Sequence, residues 1–136
     1  MTALTRTRAL MADLATALGL PTLPQDDTGG FRLTVGEATE VLLYGGNDES
    51  LLIIAPIAQL PTEPSYGLVV YLLRSNLFDS DVAPFQIAVD DGGSLIFWGR
   101  IPIAEMTGAA LASLIDHLAG RVSLIAGEVA DSREQT

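Results

Sequence analysis

The chain has 136 residues, 49% of them hydrophobic, and a formal net charge of −10 from seventeen acidic residues against seven arginines. This length suits a single domain with a sizeable core, and the lack of cysteine excludes disulfides, zinc–thiolate sites and cysteine nucleophiles. Because the negative charge is spread along the chain and repels phosphate backbones, we expect no binding to nucleic acid.

The first predicted element is an amphipathic helix over residues 2–18. Its apolar face consists of residues that recur at helical spacing, namely Leu10, Met11, Leu14 and Leu18. Gly19 supplies a stop signal after this face, and Pro21 prevents the helix from continuing.

The same region bears on export, since two arginines precede a moderately apolar run. A signal peptide needs an uninterrupted run, and Asp13 lies in the middle of this one. No apolar stretch in the chain approaches the roughly 20 residues that span a bilayer. We therefore expect a soluble intracellular domain without membrane insertion.

Three strand-like runs follow, over residues 31–35, 41–44 and 51–55. The first run alternates apolar and polar side chains, which is typical of a strand with one buried face. The breaks between the runs are short enough for hairpins, so an antiparallel meander is the expected arrangement. Three prolines, at positions 56, 61 and 64, predict irregular backbone up to the next helix.

The segment after these prolines, residues 66–73, is almost wholly apolar. Ser65 is a suitable N-cap and favours a helix, although propensity alone leaves a buried strand as the alternative. The pattern breaks at Ser75–Phe78. A helix that is apolar all round must be covered on every side, and a second copy of the chain is the cover we expect. A tightly packed monomer is the alternative.

A hairpin and a long helix complete the chain. Residues 85–89 alternate, Asp90–Gly93 forms a turn, and the returning strand over residues 95–98 is apolar on both faces. Thr107 is the expected N-cap of the last helix, whose apolar face runs from Leu111 to Ile125.

The order of elements is therefore helix, three strands, helix, two strands, helix. This order predicts an α+β fold in which helices pack a twisted antiparallel sheet. We assign residues 1–130 to a single domain and residues 131–136 to a frayed polar tail.

Motifs for catalysis are missing from the sequence. The sole histidine, His117, follows Asp116, but adjacent residues on a helix do not face each other. The aspartate pairs at positions 79/81 and 90/91 lie where turns require aspartate and are shorter than a calcium loop. The paired glycines lack the spacing that cradles phosphate. We expect no enzyme activity, no metal and no cofactor.

The second half of the chain resembles the type III secretion chaperones of the CesT/Tir-type (class I) family. The segments that carry the resemblance are Val70–Leu77, Phe85–Asp90 and Ser94–Ile103. The end of the first helix, Leu18–Pro21, is also similar. Size, acidity and the order of elements agree, so the resemblance extends over most of the chain.

The resemblance implies a homodimer in the bacterial cytoplasm that holds the extended N-terminal chaperone-binding segment of a secreted effector and hydrolyses no ATP. By this analogy the dimer interface comprises Leu68, Tyr71, Leu72, Phe85, Ile87 and Trp98. Effector contacts by the same analogy come from Leu10, Leu14, Leu43 and Ile53. Docking on the secretion ATPase is left open.

Two other functions remain compatible with the sequence. One is a regulatory binding protein of the same fold. The other is an acidic immunity-type protein that neutralises a folded basic toxin. Salt distinguishes the last of these, because high salt weakens a complex held by charge and spares one held by apolar burial.

Overall fold

The computed structural model describes residues 5–25, 29–36, 39–45, 49–76 and 85–134. Its elements are α1 (Thr5–Ala17), β1 (Phe31–Val35), β2 (Thr39–Tyr44), β3 (Ser50–Gln59), α2 (Tyr66–Arg74), β4 (Gln86–Val89), β5 (Ser94–Pro102) and α3 (Gly108–Glu134). The predicted order and the α+β class are confirmed. The segment after Ser65 is a helix, so the alternative of a buried strand is wrong.

The five strands form one antiparallel sheet in the order β1-β2-β3-β5-β4. The first three strands form the expected meander. The hairpin of β4 and β5 then places β5, not β4, next to β3, and the two pair from Ser50↔Pro102 to Gln59↔Ser94. β1 and β4 are therefore the two edges of the sheet.

The strand β3 continues past Pro56, where irregular backbone was expected. Proline lacks an N–H and is tolerated in a sheet only at an edge or a bulge. Both conditions are met here. The pairing with β2 ends at Ile54, and the register with β5 shifts between Pro56 and Ala58.

One side of the sheet carries the core. Its fully or nearly fully buried side chains are Leu33, Val41, Leu43, Leu51, Ile53, Ala55, Leu95, Phe97 and Ile101. The helix α3 packs against β1, β2 and β3 on this side, and α1 packs against α3. The buried face of α3 consists of Leu111, Ile115, Leu118, Val122, Ile125 and Val129. Leu18, predicted to belong to the buried face of the first helix, is exposed because α1 ends at Ala17.

Both predicted N-caps are present. The hydroxyl of Ser65 accepts a hydrogen bond from the N–H of Leu68 at 3.1 Å, and the hydroxyl of Thr107 accepts one from the N–H of Ala110 at 3.1 Å. Each satisfies an N–H group that has no partner within its helix. The starts of α2 and α3 are therefore determined locally by sequence.

The last helix departs from two expectations. It extends to Glu134, so residues 131–134 are helical rather than part of an irregular tail. It is also long and apolar enough, by length and composition, to cross a membrane, which corrects the expectation that no stretch qualifies. Its fully buried residues recur on one face against the sheet, and Asp116 and Glu128 are exposed. This amphipathic pattern is typical of the core helix of a globular domain.

Several sequence predictions fall outside the described residues. They concern the turn centres at 37–38 and 46–48, the break at Leu77–Phe78, the aspartates at 79 and 81, and residues 135–136 of the predicted tail.

The close crossing of α1 and α3 yields a test of the fold. A Cβ added at Gly108 would lie 2.4 Å from the backbone carbonyl of Asp13, whereas one added at Gly120 would meet nothing within 4 Å. We expect Gly108→Ala to lower the free energy of unfolding by about 1–3 kcal/mol through overpacking. Gly120→Ala should raise it by up to about 1 kcal/mol through helix propensity.

Urea unfolding of the two variants provides the measurement, and the identical substitution within one helix provides the control. Equal effects in the two variants would contradict the close helix crossing.

Candidate protein-binding surfaces

In the described part of the chain, the side chains that could serve catalysis or bind a metal ion do not form a cluster. The described residues contain no group of three or more histidine, cysteine or acidic side chains that could hold a metal ion. His117 is exposed on α3. The carboxylate of Asp90 accepts hydrogen bonds from the N–H groups of Gly92 and Ser94, each at 2.9 Å, which is the turn role that the sequence predicts. The candidate sites are therefore apolar surfaces.

The side of the sheet opposite the helices is itself apolar, and we name it the outer sheet face. It presents the even-numbered positions of the strands, which include Leu42, Leu52, Ile54, Ile96 and Trp98. The first four are partly exposed, and Trp98 is 37% exposed. The fully buried strand residues are at odd-numbered positions, on the side where the helix α3 packs.

The register joins these residues into a row across the sheet. Leu42 lies opposite Ile54, and Ile54 lies opposite Trp98. The row ends in polar residues, because Arg32 pairs with Leu42 on β1 and Gln86 pairs with Trp98 on β4. Directly opposite side chains are about 4.5–5.5 Å apart at Cβ. The result is a continuous apolar stripe with polar ends.

Arginines border this stripe. Arg32 forms an ion pair with Glu40 at 2.8 Å, and the Arg32 side chain remains 57% exposed. In the neighbouring row, Tyr44 lies opposite Leu52, which lies opposite the exposed Arg100. Two of the seven arginines of this acidic chain therefore lie on one face.

A second surface is the groove between α1, the segment that follows it and β1, which we name the α1–β1 groove. Its volume is about 410 Å³. The apolar part of its lining consists of Met11, Ala12, Ala15, Pro21, Leu23 and Phe31. The exposed side chains of Leu18 and Leu20 lie in the connection between α1 and this lining. The groove can therefore take apolar side chains of a partner.

A third surface lies between α2 and the edge strand β4, and we name it the α2–β4 face. A cavity of about 150 Å³ there is lined mainly by apolar residues, namely Leu60, Val69, Leu72, Leu73, Ile87, Ala88, Val89 and Leu95. Leu73 is 66% exposed and Val89 is 51% exposed. Isolated exposed apolar residues are ordinary, but a cluster of them marks an interface.

Comparison with protein families decides the class of this protein. The model of the Tir chaperone protein (CesT) family matches residues 9–123. The chain belongs to this family. The resemblance found in the sequence is thereby confirmed, and no curated protein matches the sequence significantly.

Solved structures agree with this assignment. A chain of the heterodimeric ExoU–SpcU complex from the type III secretion system of Pseudomonas aeruginosa is 26% identical, with a TM-score of 0.73 over 88% of this chain and 97% of that chain. The structure of the Yersinia pestis type III secretion chaperone SycH with a stable fragment of YscM2 is 23% identical, with a TM-score of 0.72 over 87% and 98%. The HopA1–SchA chaperone–effector complex is 20% identical, with a TM-score of 0.62 over 85% and 91%.

The structure places the predicted effector contacts of this CesT-family chaperone in the core. These residues are Leu10, Leu14, Leu43 and Ile53, and the last three are fully buried within the protomer. A side chain inside the core is unavailable to a partner in this conformation. The accessible apolar residues are the strand neighbours Leu42 and Ile54 on the outer sheet face. The continuous apolar pattern of these strands predicts two apolar faces, but it does not tell which of the two is buried.

The predicted dimer residues are divided by the structure. Leu68, Leu72 and Phe85 are buried in the core, whereas Tyr71 and Ile87 are half-buried. Leu72 and Ile87 meet at the α2–β4 face. Trp98 lies apart from them on the outer sheet face. Sequence reasoning missed Leu73 and Val89, the most exposed apolar residues lining that face, because periodicity does not distinguish core from surface on a wholly apolar helix.

The position of Trp98, the sole tryptophan, gives a test of the outer sheet face. Because this side chain is 37% exposed, we expect acrylamide to quench its fluorescence in the free chaperone, less strongly than in the urea-unfolded chain. Fluorescence that resists quenching until the protein unfolds would show that another surface covers Trp98.

Proposed function

We propose that this CesT-family chaperone acts in the bacterial cytoplasm as a homodimer that binds the extended N-terminal chaperone-binding segment of a secreted type III effector. Binding keeps the effector soluble and competent for secretion. The observation that carries the proposal is the outer sheet face, whose apolar stripe crosses the sheet through Leu42, Ile54 and Trp98. The chaperone–effector complex of SchA with HopA1 supports it by analogy.

The dimensions of the stripe suit an extended segment. Five strands at about 4.8 Å spacing make a sheet about 19 Å wide, and an extended chain advances about 3.3 Å per residue. About six residues therefore cross the sheet. Their side chains point alternately to opposite sides, so about three of them face the stripe. We expect these three to be apolar, with an acidic residue nearby to meet Arg100.

Stable binding of an extended segment requires more buried surface than the stripe alone provides. Three buried apolar side chains contribute about 5–9 kcal/mol, while ordering six residues costs about 6–12 kcal/mol in backbone entropy. The stripe by itself therefore gives little net affinity. A client that also fills the α1–β1 groove, and does so on two protomers, gains burial that offsets the cost of ordering. This balance explains why a long client segment is needed.

The second copy in our proposal covers the α2–β4 face. Two chains of net charge −10 repel each other, so a stable contact requires a patch free of carboxylates. The helix α2 contains no acidic residue and a single arginine, and β4 contains no charged residue. Exposed Val69, Leu73 and Val89 supply the apolar area. A two-fold axis through this face would pair each patch with itself.

The dimer proposal predicts the effect of a charge on α2. Leu73→Asp should convert the dimer to a monomer, because it buries a carboxylate opposite its own copy. Leu124→Asp, on the 52% exposed Leu124 of α3, should leave the mass at twice the 14.3 kDa of one chain. Leu73 is chosen over Leu72 because Leu72 belongs to the core.

Sedimentation equilibrium measures both masses, and circular dichroism confirms that both variants are folded. A dimer that persists in Leu73→Asp would overturn the assignment of the interface to this face.

The effector proposal predicts the effect of a polar residue in the stripe. Tagged chaperone purified from the cytosol of its source bacterium should co-purify with a secreted protein that is shielded from protease only near its N-terminus. Ile54→Asn should reduce this recovery at least tenfold, since it places an amide at the centre of the stripe. Thr34→Asn, an exposed polar position on β1, should leave recovery unchanged.

Salt separates this function from its rival. At 1 M salt the Debye length falls to roughly 3 Å, which screens interactions between exposed charges. A complex held by apolar burial should survive this condition. Recovery of a folded basic protein that dissociates at high salt would contradict the proposal and favour an immunity-type protein.

A further inference from the structure

The edge of β4 is closed by a side chain. The side-chain amide of Asn76 donates a hydrogen bond to the carbonyl oxygen of Ile87 at 3.0 Å, and its oxygen accepts one from the N–H of Ile87 at 2.5 Å. β4 pairs with β5 on its other side. Ile87 is therefore bound from outside the sheet at both of its backbone polar groups.

The geometry reproduces strand pairing. In an antiparallel ladder, two residues of a hydrogen-bonded pair exchange both N–H···O bonds. Asn76 makes the same two bonds with a side-chain amide, which has the donor and acceptor of a peptide group. Since strand backbone groups alternate in direction, the outward-facing residues of this four-residue strand are Ile87 and Val89. A further strand could pair with β4 only after displacing Asn76.

Asn76 is held in place by the end of α2. Its own N–H donates to the carbonyl oxygen of Leu73 at 3.1 Å. The preceding residue, Ser75, donates its hydroxyl to the carbonyl oxygen of Tyr71 at 3.0 Å. These bonds fix the point at which the chain leaves the helix, and Asn76 is half-buried there. The side chain is thus presented to β4 by a defined helix terminus.

Closure of the β4 edge by Asn76 matters because apolar side chains are exposed beside it. Exposed apolar side chains of Leu73 and Val89 flank this edge. An edge strand with open backbone groups and apolar neighbours is a template for pairing with another chain. We propose that Asn76 closes the β4 edge to strand addition and thereby directs a second copy of this chain to the side chains of the α2–β4 face. The second half of this inference rests on the homodimer proposed above.

The chemistry of asparagine is specific to this role. Leucine has a similar size but neither donor nor acceptor. Aspartate can accept from the N–H of Ile87 but places a carboxylate against its carbonyl oxygen. Asn76→Leu should open the edge fully, and Asn76→Asp should open it in part. Gln59→Leu is the control, because Gln59 also makes two side-chain hydrogen bonds to this hairpin, to Gly92 and Ser94 at 3.0 and 3.1 Å, away from the β4 edge.

A peptide probe tests the edge directly in the full-length protein. A fluorescent peptide with the sequence of residues 85–90 copies β4 and can pair with an open edge. By fluorescence anisotropy we expect it to bind Asn76→Leu at least tenfold more tightly than the wild type or Gln59→Leu, with Asn76→Asp between them. Equal binding to the wild type and Asn76→Leu would overturn the inference.

Amide hydrogen exchange at Ile87 provides a second readout. Exchange should accelerate at least tenfold in Asn76→Leu and stay unchanged in Gln59→Leu. An unchanged rate in Asn76→Leu would show that Asn76 does not protect this edge, and would overturn the inference even if that variant bound the peptide.

Mass measurements separate this inference from the proposed function. A wild-type dimer together with larger, concentration-dependent assemblies of Asn76→Leu supports both. A wild-type dimer together with an equally sized Asn76→Leu dimer overturns the role of Asn76 and leaves the homodimer standing. A monomeric wild type overturns the homodimer and the second half of the inference, while peptide binding still decides the first half.

Discussion

The ladder between β3 and β5 is the interaction on which the rest of the structure depends. It runs the whole length of both strands and separates β4 from the meander, so that β4 becomes an edge. The connection from β3 to the hairpin then carries α2 to that edge, where Asn76 meets Ile87. The ladder also sets the parity of the central strands, which sends Phe97 into the core and Trp98 to the opposite face.

This parity divides one sheet between a buried face and the proposed recognition surface. Odd-numbered positions of the central strands bury leucine, isoleucine and phenylalanine in the core, while even-numbered positions leave Leu42 and Ile54 partly exposed. The core therefore needs no residue from the recognition surface. A partly exposed residue such as Ile54 is less constrained by packing than its buried neighbour Ile53, because cores tolerate changes of volume poorly.

Local signals in the sequence predicted most of the fold. The caps Ser65 and Thr107, the turn at Asp90 and the alternation of β1 each depend on neighbouring residues, and each is present. The placement of β5 beside β3 depends on contacts distant in sequence, which periodicity does not encode. The prediction of effector-contact residues was affected most by this limit. Fully apolar runs around Leu43 and Ile53 do not reveal which face of the strand is core until the register is known.

The crossing of α1 by the start of α3 has a consequence for the order of folding. Gly108 lies against the backbone of Asp13, so α1 packs on a helix that is distant from it in sequence. Contacts between residues so distant in sequence form slowly because a long loop must first be closed. We therefore expect the contact between α1 and α3 to form late in folding, after the sheet that lies between them in sequence has brought the two helices together.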